Sequence, residues 1–422
     1  MIRTYTCDGC GGELVYRAGS DEAKCARCGK AIPISALNVN LEAGKFSGKI
    51  GPETQSTAGD GTVTRKCASC GADLPTGDYT AATVCKYCGS PVIVESQIEG
   101  DYRPIRVIPF EFDKKEAQKK FMAWSKKGAL TPTDFKQNAI MNQLKCVYVP
   151  FWLYDYEVNV EMTAEAENKR TEKDGNTERE IVEIYDVTRN THGKYNQVPV
   201  AASNDIPADE MRILEPYDYS KLREFSMPYL AGYQAEKYAK TDVDLRDDLK
   251  EDLKKDAIDA TEDTVTGYNR VTVKDASAVM FNEQTEYVMM PVYTIDYSFK
   301  GKKFPIYMNG QTGKIAGELP TSGLKAFLFF VIAVAIVSVI CGLISVLLIH
   351  KMDFLAAIQK SWIWGIIALI IGGIATLIAK GNQSGFGKYS RRKYLEDEKV
   401  IVIQGNDRFV SRSVSTKTVD KK

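Results

Sequence analysis

Eight cysteines in two sets carry the chemistry most legible in this chain. Cys7, Cys10, Cys25 and Cys28 form a C-x2-C-x14-C-x2-C pattern, and Cys67, Cys70, Cys85 and Cys88 repeat it 60 positions later. A thiolate pair two residues apart sits on one tight turn, so both sulfurs reach one ion about 2.3 Å away. Two such turns joined by a short hairpin close a tetrahedral cage of the kind that holds Zn2+. Gly11, Gly29, Gly71 and Gly89 follow the turns, where the knuckle calls for positive φ. Disulfides or buried thiols are the alternative use of such residues, and two copies of one spacing argue against it. The expectation is two structural Zn2+ ions in closed sites, with no open position for hydrolytic work.

These ligands need small β-knuckle modules to hold them. Residues 1–36 read as a first zinc ribbon and residues 65–98 as a second. The intervening 37–64 are rich in Gly, Ser and Thr and read as a flexible linker that lets the ribbons move relative to each other. The whole chain of 422 residues has room for two or three domains. Its 44% apolar and 26% charged content is ordinary for a folded protein, and 55 basic residues balance 55 acidic ones, so no global field steers it to nucleic acid. Cys146 and Cys341 stand apart from the cages, which suits a reducing compartment. The N-terminus has no apolar leader and no cleavage site, the pattern of a chain that is not secreted.

A second signal lies toward the other end. Residues 326–349 are uncharged, and a second uncharged run occupies 362–379. At about 1.5 Å per helical residue the first covers a hydrocarbon core of roughly 30 Å. Trp362 and Trp364 suit the headgroup level. A buried pair of core helices is the alternative, and length and lack of charge weigh against it. Of basic residues the loop His350 to Ser361 carries only Lys351 and Lys360. Lys314 and Lys325 precede the first run, and Lys380, Lys388, Arg391, Arg392 and Lys393 follow the second. The bias predicts an antiparallel transmembrane hairpin with both chain ends in the cytoplasm. Gly342, Ser345, Gly365, Gly372 and Gly373 offer close helix approach.

Between ribbons and hairpin, residues 100–320 read as a mixed α+β, mostly antiparallel cytoplasmic domain. Asp113 followed by Glu116 resembles a capping box, with Phe112, Ala117, Phe121 and Trp124 on one helical face. Leu245, Leu249, Leu253 and Ala257 mark a narrow stripe on a charged helix over 242–264. The segments at 146–167, 179–200 and 286–319 are strand-like. Val147–Tyr156 parallels Val288–Tyr297, with Val, Pro, Asp and Tyr in register at an offset of 141, which suits two halves that each open on a V-x-x-P strand. The tail 380–422 is basic, with a short hairpin or an added edge strand near 400–410 or a disordered end from Ser411.

On these residues the chain resembles a family. The second ribbon, CASCGADLPTGDYTAATVCKYCGSPVIV, is similar to those of bacterial membrane proteins known as transcription-factor-IIB-type zinc-ribbon-containing proteins. The resemblance continues through IPFEFDKKEAQKKF, CVYVPFWLYDYE, EPYDYSKL, YLAGYQAEKY and FPIYMNGQTGKIAGELP. It implies ribbon-bearing, mostly β cytoplasmic domains followed by transmembrane helices. Some members carry replication or primosomal-helicase-like labels. Others sit beside phage-shock and SPFH-domain membrane-stress proteins, which the resemblance implies as partners. The N-terminal second copy of the ribbon departs from the simple pattern.

Catalytic constellations are not legible. His192 reads as an exposed polar residue and His350 as an interfacial one. The stretch Asn309 to Lys314, NGQTGK, lacks the spacing of a phosphate loop and reads as a hairpin turn. Residues 1–100 hold ten basic and eleven acidic side chains, net −1, a poor surface for phosphate contacts. Lys114, Lys115, Lys119, Lys120, Lys126 and Lys127 cluster on one helix, either as a solvated face or as a patch toward anionic lipid. The expected function is a plasma-membrane scaffold that binds cytoplasmic proteins. A membrane-tethered nucleic-acid-binding regulator is the alternative from another class. An enzyme with an unrecognised site in the β domain is the third.

Overall fold

A computed structural model describes residues 1–42, 48–51, 56–57, 62–98, 102–126, 128–133, 135, 144–174, 177–299, 301–349, 354–381 and 390–418. His350, Lys127, Lys351 and Lys388 lie outside them. The first cysteine set sits among β1 (Ile2–Tyr5), β2 (Leu14–Tyr16), β3 (Glu22–Cys25) and β4 (Ala31–Pro33), followed by α1 (Ile34–Glu42). Next come β5 (Gly48–Gly51) and β6 (Ser56–Thr57). The second set lies among β7 (Thr62–Lys66), β8 (Asp73–Gly77), β9 (Thr80–Val84) and β10 (Pro91–Val94), with α2 (Glu95–Ile98) behind it. Thus the segment read as a linker carries a helix and short strands. Ile34 and Leu37 are buried at its near side, and their burial draws the chain into the fold.

The body begins with β11 (Arg106–Val107) and α3 (Lys114–Ser125), then two long strands, β12 (Leu144–Asp174) and β13 (Thr177–Ala201). After α4 (Ala208–Leu214), β14 (Arg223–Glu224) and β15 (Gln234–Glu236) come α5 (Asp242–Glu262) and the third long strand, β16 (Arg270–Phe299). A hairpin of β17 (Lys302–Asn309) and β18 (Ile315–Gly317) leads to α6 (Gly323–Ile349), α7 (Phe354–Gly381) and a last strand, β19 (Ile401–Thr418). The result is a mixed α/β fold dominated by one sheet of 13 strands among the described residues. Its pairings are antiparallel except for β11–β16 and β12–β15.

Strand alternation explains the core. Val147, Val149, Phe151 and Leu153 of β12 face one apolar cluster with Met211 and Leu214 of α4, while Tyr148, Trp152 and Tyr154 face the other. Burial on both faces produces the near-continuous apolar run of this segment. The two V-x-x-P segments are neighbours: Val147 pairs with Val292, Val149 with Met290 and Phe151 with Val288. At an offset of 141 those pairs map onto one another, so the repeat describes a local two-fold centred on Val149 and Met290. Beyond Tyr156 only one face of β12 is buried, through Val158, Val160, Met162, Ala164 and Ala166, and Leu249, Leu253 and Ala257 of α5 belong to the same cluster. The narrow stripe at spacing four is the face that α5 buries; Leu245 packs at its edge. Thr241 caps α5 with Asp244 in a full capping box that sequence reading passed over.

Other readings take concrete form. Asp113 Oδ1 accepts the Glu116 N–H at 2.8 Å and starts α3, whose Ala117 and Phe121 are buried. The NGQTGK stretch is a hairpin turn: Asn309 N–H donates to Lys314 O at 2.8 Å, and Asn309 Oδ1 accepts from Gln311 and Thr312. His192 is half-buried on β13, with Nδ1 2.9 Å from Asn159 Oδ1. It is therefore less exposed than expected, because β12 runs beside it. The tail forms neither a hairpin nor a loose end over Ile401–Thr418. It is an added edge strand pairing antiparallel with β13 from His192↔Ile401 to Thr177↔Thr418.

The helix α6 contains a stretch, Gly323–Cys341, long and apolar enough to cross a membrane. Phe327, Val331, Ile336 and Val339 on α6 are exposed, as are Leu369, Ile374 and Leu377 on α7. The two helices touch at Gly372, where an added methyl would meet Val334 Cγ2 at 2.6 Å. Of the small residues singled out, Gly365 and Gly373 have open space beside them. The helix α7 starts at Phe354, eight positions before the uncharged run, because Gln359 and Lys360 do not interrupt helical backbone.

Candidate metal centres

Each C-x-x-C turn is built the same way. The N–H of the first cysteine donates to the carbonyl five residues on, as from Cys7 to Gly12 and from Cys67 to Ala72. The glycine four residues on donates back, as from Gly11 to Cys7 and from Gly71 to Cys67, all within 2.7–3.0 Å. Gly11, Gly29, Gly71 and Gly89 hold φ of 68°, 76°, 74° and 77°, the left-handed region that a side chain would strain. The turns aim their sulfurs inward. In each set the four Sγ atoms lie within 4.8 Å of one another.

The spacing tests the fit to an ion. Four sulfurs at 2.3 Å from a tetrahedral centre stand about 3.8 Å apart. Cys7–Cys28 is 3.8 Å and Cys10–Cys25 3.5 Å; Cys67–Cys88 is 3.7 Å and Cys70–Cys85 3.8 Å. In each set these two distances are close to that spacing, and the remaining ones lie within 4.8 Å. Cys7, Cys25, Cys67 and Cys85 are buried, whereas Cys28, Cys70 and Cys88 face solvent. Backbone N–H groups of Cys28 and Arg27 bring the Cys25 thiol down to about 6. Burial raises Cys88, but hydrogen bonds from Ser90 outweigh it and leave the thiol at about 7. Burial pushes Cys67 up to about 12. Cys25 in the first set and Cys88 in the second are thus the readily ionised sulfurs, and an ion must displace the proton held on Cys67.

The two centres are not independent modules, contrary to the expectation of ribbons that move on a linker. β1 of the first pairs with β10 of the second, Ile2 opposite Val94. Ile2 is fully buried in the small core that holds Cys67, Leu74, Cys85 and Val92. Glu13 beside the first cage accepts hydrogen bonds from Ser69 at 3.0 Å and from Ser90, whose hydroxyl also lies 3.0 Å from Cys88 Sγ. Arg3 pairs with Glu95. Backbone pairing overrides the polar composition of residues 37–64.

Both centres are also fixed to the body. β9 pairs with β15, Ala82 opposite Ala235, so one sheet runs from the long strands into the cages. On the other side Tyr16 N–H donates to Ala231 O at 2.9 Å, and the Tyr16 ring packs against Tyr229 and Tyr233. Tyr229 hydroxyl donates to Asp21 at 3.2 Å. Gly232, at φ 89°, leaves just enough room for Val15. Sequence reading missed these seams, since β15 is three residues of ordinary composition and the aromatic richness of the body was its only trace.

Glu236 in this seam is raised from 4.5 to about 7 by burial, partly opposed by the Ser203 hydroxyl at 2.5 Å and aided by Asp205. An acid raised on folding contributes stability that is complete below its unfolded value and is lost as pH rises through the folded one. Over the window from 4.5 to about 7, each step of one in pH removes at most about 1.4 kcal/mol. Thiolate capture of an ion gains over the same range. Replacing Glu236 with Gln should therefore raise the thermal midpoint at pH 7.5 and leave it almost unchanged at pH 5. Equal changes at both pH values would contradict the assignment.

The site and fold define a class: a chain with two four-cysteine clusters able to hold metal ions, knitted into a mixed α/β body that bears an apolar helix long enough to cross a membrane. The uncharacterized protein YdjG of Bacillus subtilis (strain 168) is 32% identical over 330 residues, which span 78% of this chain and 94% of that protein. The chain belongs to the YdjG family. No family model and no solved structure matches it.

Proposed function

We propose that this is a plasma-membrane scaffold of the zinc-ribbon type, in which two structural Zn2+ ions brace a cytoplasmic β platform and α6 and α7 cross the bilayer as a hairpin. Both chain ends lie in the cytoplasm. One observation carries the reading. β13 precedes α6, β19 follows α7, and the two strands are hydrogen-bonded over most of their length. That pairing supports a reading in which the segments flanking the helices share one side of a bilayer and the chain crosses it an even number of times. Exposed apolar residues on both helices support lipid as their surroundings.

Recognition of protein rather than nucleic acid is the activity the surface favours. Ile401, Ile403 and Val410 are exposed on β19, which among the described residues pairs only with β13. Such an edge can take an added strand from another chain. The resemblance to transcription-factor-IIB-type ribbon proteins points to membrane-stress partners of the phage-shock or SPFH type. The test is affinity purification of the full chain from native membranes beside an Ile403→Glu/Val410→Glu variant. Discrete proteins are expected with the unaltered chain and should vanish with the variant, while zinc stays at two equivalents. Salt-sensitive retention of nucleic acid, with no protein lost in the variant, would overturn the reading.

A further inference from the structure

A cleft of about 830 Å3 opens where α6 and α7 meet the body. Lys302 and Lys303 come from β17, Lys325 from the first turn of α6 and Lys380 from the last turn of α7. Four cations from three elements thus converge on one hollow, and Glu318 is the lone carboxylate among the described residues that line it. Lys325 is anchored by donating to Thr131 O at 2.7 Å. Among the described residues Lys302, Lys303 and Lys380 have no carboxylate in ion-pair range. Lys302, Lys303 and Lys380 are exposed and Glu318 is the single carboxylate among the described residues beside them, so the hollow presents more positive than negative charge to an anion. Elsewhere on the body a lysine such as Lys250 pairs with a carboxylate, Glu283, at 2.7 Å.

The cleft's apolar rim states which anion. Leu324 is 70% exposed at its mouth, and Phe327, one turn further along α6, is 62% exposed. A charged hollow that runs directly into an apolar helix surface fits a molecule with a phosphate at one end and hydrocarbon at the other. We propose that the cleft binds the phosphodiester headgroup of an anionic phospholipid, whose acyl chains lie along α6. Basic pockets at the cytoplasmic ends of membrane helices suit that chemistry. The proposal rests on the membrane-spanning reading of α6 and α7.

The full chain, purified in neutral detergent, is titrated with short-chain phosphatidylglycerol or phosphatidylcholine, and bound lipid is counted by native mass spectrometry. Phosphatidylglycerol should be retained about ten-fold in preference. Lys302→Gln/Lys303→Gln/Lys380→Gln should erase that preference while keeping two equivalents of metal, and Lys302→Gln and Lys380→Gln alone should each lower it in part. Lys114→Gln/Lys115→Gln/Lys119→Gln, an equal charge change on α3, should leave it intact. No preference in the unaltered chain, or equal loss in the α3 variant, overturns the proposal. Displacement of lipid by equimolar inorganic phosphate overturns the lipid assignment in favour of a free anion. Flotation with phosphatidylcholine vesicles is scored separately: a chain that does not float removes the membrane reading itself, whereas one that floats without lipid preference removes only this site.

Discussion

Cys67→Ser/Cys85→Ser should lower the metal content of the purified chain from two equivalents toward none, not toward one. A structural tetrathiolate ion supplies on the order of 10 kcal/mol or more to its module, which is comparable with the whole stability of a typical domain. Were the cages separate, the first would survive the loss of the second. Here Ile2 is buried among the ligands of the second cage and β1 is hydrogen-bonded to β10, so collapse of β9 and β10 strips the first cage of a strand and a core residue. The damage should also reach β15, seen as faster amide exchange at Gln234–Glu236. Plasma emission spectrometry that finds one full equivalent left, with β15 still protected, would sink the claim of a shared framework.

Gly232→Ala should unseat the first cage from the body. The glycine's φ of 89° already disfavours any side chain, and a methyl there would overlap Val15 Cγ1. Overpacking of this kind costs about 1–3 kcal/mol, with a further cost of roughly 1–2 kcal/mol for left-handed backbone. The expected loss is several kcal/mol, read by chemical denaturation of the detergent-solubilised chain. Val15→Ala in the same molecule should return the contact share but not the backbone share, giving a coupling of more than about 1 kcal/mol in a double-mutant cycle. Simple additivity would mean that Val15 and Gly232 do not form the seam.

Local chemistry was readable in the residues and distant pairing was not. The cysteine spacing and the glycine after each pair determine the knuckle, because every atom involved lies within six positions. The stripe Leu249, Leu253, Ala257 announces α5 for the same reason: helical contacts are local. The V-x-x-P repeat was visible as text, yet its meaning, two strands facing each other across Val149 and Met290, needed the fold. What stayed hidden joins residues far apart through short strands: Ile2 with Val94, Ala82 with Ala235, His192 with Ile401. Register between such segments depends on sheet order, and three-residue strands such as β15 carry no periodicity to betray them. Residues 37–64 illustrate the converse, since polar composition concealed β5, which pairs with the distant β1, and β6, which pairs with the start of β7.

The position of β19 imposes a sequence of events during biosynthesis. β13 is complete long before α6 and α7 emerge from the ribosome, yet its neighbour is made only after them. Throughout that interval an edge of some sixteen rungs from Thr177 to His192 stands bare. The sheet can be finished only once both helices have been synthesised, so a chain that stalls before β19 keeps a sticky border on display for quality-control proteases. Completion of the sheet thereby reports that the apolar helices between its last two neighbours have been made.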